Sequence, residues 1–295
     1  MKPILERLKA GEILFVDGAM GTFLYKRGLK PGECPELWCI EHPDVVKDIH
    51  MSYRQAGSDI VETNSFGGTR YRLGHYGLAE RVREINLAAA KIAREVAGDT
   101  QYVLGSAGPT SEFMEPYGSE TPEGFYDAFK EQLVALADGG ADVCIIETMT
   151  CLEEAALAVR AARENTNLTI IASFTFDPKP DGGYVSMMGV TPDVFAPAML
   201  SAGADILGLN CGTGPDHMLN IIKMVKAAAP DAFVCAMPNA GMPVAEDGKL
   251  VYRETPAMMA SKAVKLAAAG ANIIGGCCGT TPEHIAAMKK AVLGR

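Results

Sequence analysis

The sequence predicts an α/β protein built as a single (β/α)8 TIM barrel over residues 1–295, and three regularities carry that prediction. Eight short apolar runs alternate with stretches of good helix formers along the whole chain. A Gly-x-Asp or Gly-x-Asn step introduces every second run, at Gly57–Asp59, Gly140–Asp142, Gly203–Asp205 and Gly270–Asn272. Thr-Pro opens a helical stretch four times, at 121–122, 191–192, 255–256 and 281–282.

Taken in order, the runs begin with ILFVD (13–17), DIVETN (59–64), YVLGSAG (102–108) and DVCIIET (142–148). They continue with LTIIASFTF (168–176), DILGLNC (205–211), AFVCAMPN (232–239) and NIIGGCC (272–278). Runs this short, bounded by Gly or Pro and rich in Val and Ile, read as parallel strands buried on both faces. Between them AERVREINLAAAKIAREVAG (79–98) and CLEEAALAVRAAREN (151–165) read as helices. Threonine offers an N-cap oxygen and proline a preset first-turn φ, so each Thr-Pro has a sufficient structural reason. The recurring glycine caps a helix, the Asp or Asn turns the chain, and a strand begins. Four such units on strands 2, 4, 6 and 8 fit quarter-barrels. An open doubly wound sheet is the alternative, but no G-x-G-x-x-G follows a strand to mark a nucleotide site. No linker or low-complexity segment divides the chain.

Composition narrows the function. A formal net charge of −9 with no basic run argues against a nucleic-acid partner and against a membrane surface. The start, MKPILERLKAGEILFVDG, has no long apolar core, and no stretch approaches a membrane span. The eight cysteines (34, 39, 144, 151, 211, 235, 277 and 278) show no C-x-x-C spacing, so the expected setting is a reducing cytoplasm with free or metal-bound thiols.

In a (β/α)8 barrel the chemistry sits at the C-terminal ends of the strands. Those ends supply Asp17, Glu62, Asn64, Glu147, Asn210, Cys211, Asn239, Cys277 and Cys278. Cys144 and Cys235, inside strands, read as small core residues. Cys34, Cys39 and Cys151 carry no assignment. Cys211, Cys277 and Cys278 share one mouth, and three thiolates there suit zinc with a fourth position open, as in a catalytic site. A strained vicinal disulfide, a redox sensor or a metal store are the other uses of such a pair. Flanking glycines would let the backbone turn sharply enough for two adjacent residues to serve one metal. Such a centre would take a substrate thiol as thiolate and leave its sulfur electron-rich, which suits alkyl transfer more than hydrolysis. A hydrolytic centre favours His and carboxylate ligands, and the chain has only five histidines. Of these, His284 reads as a first-turn surface residue. Glu62 and Asn64 read as organisers of the rim.

Five motifs keep their order on consecutive strand ends: DGAMGT (17–22), ETNSF (62–66), GLNCGTGP (208–215), MPNAGMP (237–243) and GGCCGT (275–280). Together they resemble the homocysteine S-methyltransferase family over nearly the whole chain. MPNAGMP is most similar to the homocysteine-binding module of cobalamin-dependent methionine synthases. The resemblance implies a homocysteine-binding barrel with zinc on Cys211, Cys277 and Cys278, and homocysteine sulfur as the exchangeable fourth ligand. It implies Asn239 in that position when substrate is absent. It also implies that Asp17 and Glu147 hold the substrate amino group, while backbone amides of Gly18, Ala19, Met20, Gly21 and Thr22 meet its carboxylate. Ser173 on strand 5 is a further candidate contact. The implied activity is methylation of homocysteine to methionine. No D-x-H-x-x-G cobalamin fingerprint occurs in the chain. The methyl group is therefore expected from outside, on a corrinoid protein carrying methylcobalamin or from a small molecule such as S-methylmethionine or betaine. The alternative keeps the barrel and zinc but places them in a corrinoid methyl-transfer or demethylation system acting on another methylated compound.

Overall fold

A glycine followed two residues later by Asp or Asn sets the repeat of the structure. The computed structural model describes residues 1–242, 244–246 and 249–294, so Pro243 of the MPNAGMP motif lies outside the described residues. Eight parallel strands form the barrel: β1 (Leu14–Phe15), β2 (Ile60–Glu62), β3 (Tyr102–Ala107), β4 (Val143–Met149), β5 (Thr169–Phe174), β6 (Ile206–Asn210), β7 (Phe233–Met237) and β8 (Ile273–Ile274). They pair in the order β1-β8-β7-β6-β5-β4-β3-β2, and a parallel bridge between Val16 and Ile60 brings the two ends together. The helices that wrap the strands are Pro43–Gln55, Val82–Ala97, Pro122–Asp138, Leu152–Asn165, Pro192–Ala202, Pro215–Ala228, Pro256–Ala268 and Pro282–Leu293. Each follows one strand, the order of a (β/α)8 barrel. No described helix is long and apolar enough to cross a membrane.

The repeated step works the same way four times. Gly57, Gly140, Gly203 and Gly270 adopt φ of 92°, 103°, 107° and 109°, a region that disfavours any Cβ. Two residues on, a side-chain oxygen takes the amide of the second residue of the preceding odd strand. Asp59 accepts from Phe15 N at 2.9 Å, Asp142 from Val103 N at 2.9 Å, Asp205 from Ile170 N at 2.8 Å and Asn272 from Val234 N at 3.0 Å. Each of these residues also donates its own N–H to the carbonyl of the same partner. Every even strand is thus clamped to its odd neighbour at the floor of the barrel. A cation locks three of the clamps. Lys289 donates to Gly57 O and Asp59, Arg94 to Gly140 O and Asp142, and Arg163 to Gly203 O and Asp205.

Side chains alternate with a period of two along each strand. Ile60, Leu104, Ile145, Ile171 and Ile206 fill the barrel interior, whose floor is plugged by Ile4 and Leu8 of the helix Ile4–Lys9. The opposite faces pack against the helices. Cys144 falls in that outer layer and Cys235 in the interior, both fully buried, as their positions inside strands predict. Continuing the inward series to the top of the barrel leaves polar residues: Glu62, Ser106, Glu147, Ser173 and Asn210.

All four Thr-Pro threonines take the N-cap position; Thr121 accepts from Gly124 N at 3.1 Å and Thr255 from Met258 N at 3.4 Å, whereas the Thr191 side chain makes no cap bond. The cap at Thr281 corrects one expectation. His284 is buried rather than on the surface. Its Nδ1 accepts from Thr281 N at 3.1 Å, and its Nε2 lies 2.8 Å from Glu254 O. The segment leading into helix Pro256–Ala268 lies over it, a packing that the local sequence does not announce.

Replacing Asp205 by Ala would strip the acceptor from Ile170 N and leave Arg163 without its partner. We expect a loss of about 1–3 kcal/mol in urea unfolding, with Asp205→Asn losing much less because the fourth clamp already uses an amide.

Candidate active site

The segment Gly275–Thr280 is held between two strands before it offers any side chain. Gly275 N donates to Ala236 O at 3.0 Å, Gly276 N to Asp17 O at 3.2 Å, and Cys277 N to Pro238 O at 2.9 Å. Cys278 N donates to the Asn239 side chain at 3.1 Å, and Ala240 N returns a bond to Cys278 O at 2.9 Å. The glycines are needed for close approach. A Cβ on Gly275 would stand 2.2 Å from Val16 Cγ1, and one on Gly276 would stand 2.4 Å from Thr280 Cγ2. Only Gly279, at φ 81°, is required by its backbone angle. Thr280 then binds the mouth together: its hydroxyl donates to Cys277 O at 2.7 Å and accepts from Ala19 N at 3.1 Å. Tyr53, from the helix Pro43–Gln55, reaches Ala19 O and Thr280 O with its hydroxyl.

Cys211 arrives from the end of β6 in a left-handed turn, at φ 53°, followed by Gly212 at φ 59°. A residue with a side chain held there costs on the order of 1–3 kcal/mol, and such strain is commonly found at functional sites. The turn brings the Cys211 sulfur within 4.8 Å of the sulfurs of Cys277 and Cys278. The Cys277 and Cys278 sulfurs are 3.9 Å apart. Four ligands at ~2.3 Å around a tetrahedral zinc would stand ~3.8 Å from one another, so the donor set fits that ion. Hydrogen bonding among the three sulfurs shifts their acidities in opposite directions. Hydrogen bonds from Cys211, Cys277 and Tyr252 draw Cys278 well below the ordinary thiol range against the effect of burial, whereas bonding to the other two sulfurs holds Cys277 well above it.

Beside the sulfurs lies a cavity of about 290 Å³ at the mouth of the barrel, near the lower end for small-ligand sites. Gly18 to Thr22, Asn64, Ser106, Thr148 and all three cysteines line it. Its acidic residues are Asp17, Glu36, Glu62 and Glu147, and no Lys, Arg or His is among the described residues of its wall. Burial is the largest cause raising Asp17, Glu62 and Glu147 above the ordinary carboxylate range; the charges of Glu147 and Asp17 raise Glu62 further. Two of these groups are incompletely bonded. Asp17 Oδ2 accepts from Glu62 N at 3.0 Å, but Asp17 Oδ1 is buried with no partner, and so is Glu62 Oε1. The Thr22 hydroxyl is a third buried polar atom without a partner. Among the described residues, nothing accepts from the amides of Met20, Gly21 and Thr22.

Glu147 is set by its neighbours. It follows Ile146 where the β4 ladder shifts register, and Thr148 beside it takes φ 59°. Such a bulge re-aims side chains at a barrel rim. Ser106 donates to Glu147 Oε1, and Asn210 Nδ2 donates to Glu147 Oε2 at 3.0 Å. Asn210 is the hub: it also donates to Thr148 Oγ1 at 2.7 Å and accepts from Thr148 N at 2.9 Å and from Ser173 Oγ at 2.6 Å.

The structure therefore gathers Asp17, Gly18 to Thr22, Glu147, Cys211, Cys277 and Cys278 around one cavity. Ser173 stands behind Asn210 instead of in the cavity wall, and Asn239 Oδ1 faces the Cys278 amide. Asn64 lines the cavity and ties Pro35 O to the rim at 2.8 Å. Ser106, Tyr53 and Tyr252 escape a motif search, and Thr280 closes the GGCCGT motif without its local sequence giving it a role. Only Ser106 carries a usable signal, as the inward position two residues after Leu104.

A parallel barrel with three clustered thiols beside an acidic cavity at its C-terminal mouth defines a metal- or thiol-centred barrel of the enzyme type. The chain belongs to the homocysteine S-methyltransferase family, whose model matches residues 14–292. It is 34% identical to methionine synthase of Mycobacterium tuberculosis over 300 residues, covering 95% of this chain and 24% of that protein. Methionine synthase of Mycobacterium leprae is 34% identical over 307 residues, covering 98% of this chain and 25% of that one. The chain thus spans about a quarter of the length of these relatives. Crystal structures of the Escherichia coli homocysteine methyltransferase MmuM superimpose with TM-scores of 0.79 for the oxidised form and 0.77 for the metallated form. Both are 25% identical and cover 98% of this chain and 99% of that one.

Asn210→Ala would unmake four hydrogen bonds at once. We expect it to lower unfolding stability by more than about 2 kcal/mol, while Ser173→Ala, which removes one donor, lowers it by about 1 kcal/mol.

Proposed function

We propose that this chain binds homocysteine as a thiolate on zinc and methylates it to methionine, with the methyl group supplied in trans by a methylated corrinoid protein. The observation that carries the reading is that three clustered cysteines and two acids with unpartnered buried oxygens, Asp17 and Glu62, line the same small cavity. One end of that cavity suits a soft metal and the other suits an ammonium group, which are the two ends of an aminothiol. Family membership and the similarity to the homocysteine methyltransferase MmuM point the same way.

Cys211, Cys277 and Cys278 would hold the zinc, which would keep a bound substrate thiol in its anionic, nucleophilic form at neutral pH. Asp17 Oδ1 and Glu147 take the substrate ammonium, which neutralises carboxylates that the empty cavity leaves unpaired. The free amides of Met20, Gly21 and Thr22 receive its carboxylate. Held at both ends, the substrate presents its sulfur towards the open side of the mouth, where the donor arrives. The sulfur then attacks the methyl carbon, and the S–CH3 bond forms as the donor–CH3 bond breaks, its electron pair leaving with the donor. Asn239 would have to release the Cys278 amide before its oxygen could replace substrate at the metal. The donor assignment rests on the similarity to methionine synthases, of which this chain matches only about a quarter. The cavity itself has room for a small amino acid and not for a macrocycle.

Zinc-loaded protein incubated with homocysteine and either methylcobalamin or a methylated corrinoid protein should release methionine, and chelation should abolish it. Turnover that survives complete metal removal would contradict the reading. Asp17→Asn separates binding from stability. Because burial holds Asp17 above its unfolded value, its contribution to stability is complete at low pH and lost as pH rises through the folded value. The variant should therefore raise the urea midpoint of the substrate-free protein near pH 7, with the gain vanishing below about pH 4. It should also raise KM for homocysteine at least about tenfold through loss of a charged hydrogen bond.

A further inference from the structure

An ammonium group carries three N–H donors. Beside Glu36, whose oxygens are taken by Gly67 N and the Cys34 thiol, the cavity wall holds three carboxyl groups, of which Asp17 and Glu147 are two. Glu62 is the third. It occupies the inward position of β2 two residues after Ile60, and its backbone amide fixes Asp17 by donating to Oδ2 at 3.0 Å. That bond leaves Asp17 Oδ1 buried and unpartnered in a residue that lines the cavity and is only 2% exposed. Glu62 Oε1 is likewise buried with no hydrogen-bond partner, and the carboxyl's one side-chain neighbour in hydrogen-bond reach is another acid, Glu147. Both oxygens of Glu147 already accept one bond each, from Ser106 and Asn210, which fixes the carboxylate without exhausting its lone pairs. A carboxyl that merely organised the rim would find its donors within the rim, as Glu36 does with Gly67 N at 2.7 Å and the Cys34 thiol at 3.3 Å. Glu62 Oε1 has none.

We propose that Glu62 is a specificity-determining residue, which completes with Asp17 and Glu147 a three-acceptor cradle for a primary α-ammonium group. The proposal rests on the reading that the substrate is an α-aminothiol, and it gives Glu62 a substrate-facing part beside the rim-organising one expected of it. A cradle of three acceptors selects for three N–H donors. A tertiary ammonium has one donor and two methyl groups facing buried carboxylate oxygens, and a thiol with no nitrogen leaves all three carboxyls unpaired.

The test is calorimetric binding to zinc-loaded protein, which needs no methyl donor. Three thiols are compared: homocysteine, N,N-dimethylhomocysteine and 4-mercaptobutanoate. The wild type should bind homocysteine at least about a hundredfold more tightly than either analogue. Glu62→Gln should weaken homocysteine about ten- to hundredfold and leave 4-mercaptobutanoate within about twofold, so that discrimination collapses. Zinc content and far-UV circular dichroism of the variant report its folding. If it does not fold, Glu62→Asp keeps the charge on a shorter arm and should give an intermediate loss confined to homocysteine. Equal weakening of all three thiols, or unchanged homocysteine affinity, overturns the proposal. A wild type that binds all three thiols alike also overturns it. Discrimination that survives in a protein unable to make methionine would uphold the cradle while sinking the functional reading.

Discussion

The mouth of this barrel confines groups that repel one another. Three thiols that can each ionise stand within 4.8 Å, and four carboxyl groups line the cavity beside them with no basic residue in the described wall. Two like charges at 4 Å and an effective dielectric near 20 repel by about 4 kcal/mol, so such a cluster holds together only if the frame around it is stiff. The sulfurs lighten their repulsion by sharing protons, and burial pushes the carboxyls towards their neutral forms. Both adjustments are undone by cations. A divalent metal at one end and an ammonium at the other would turn the least favourable feature of the empty site into its binding energy.

Stiffness comes from the backbone. Four glycine-led clamps tie the strands in pairs at the floor, well away from the chemistry, and the Gly275–Thr280 segment is bonded to β1 and β7 residues at the top. Small residues at Gly275, Gly276 and Gly208 allow approaches that any Cβ would prevent, the last against Ser173 Cβ at 2.4 Å. Strain collects at Cys211 and Thr148, each held left-handed beside Asn210 or bonded to it. Asn210 therefore joins two functions, for it orients Glu147 through its side chain and precedes Cys211 in the chain. A disturbance there would reach the carboxyl and the sulfur together.

Much of this is written locally, and what is missing is written in three dimensions. The Gly-x-Asx steps and the Thr-Pro caps foretell the barrel because each acts within a few residues. The three cysteines are legible because strand ends of a parallel barrel converge on one face. Ser106 hides because a serine in YVLGSAG has no motif, although the alternation from Leu104 places it inward. Ser173 has the opposite fault: its strand position suggests a contact with substrate, yet a bond to Asn210 consumes it. Thr280, Tyr53 and the buried His284 depend on contacts with segments distant in sequence, which periodicity cannot report. Glu62 reads as rim structure until the lack of any donor to its Oε1 is seen.

The central claim is that the substrate sulfur completes a three-cysteine zinc site. X-ray absorption at the zinc edge tests it directly. Zinc-loaded protein alone should show three sulfur neighbours at about 2.3 Å with one lighter atom, and addition of homocysteine should raise the count to four sulfurs with loss of the lighter atom. A sulfur count that homocysteine leaves unchanged would contradict the account.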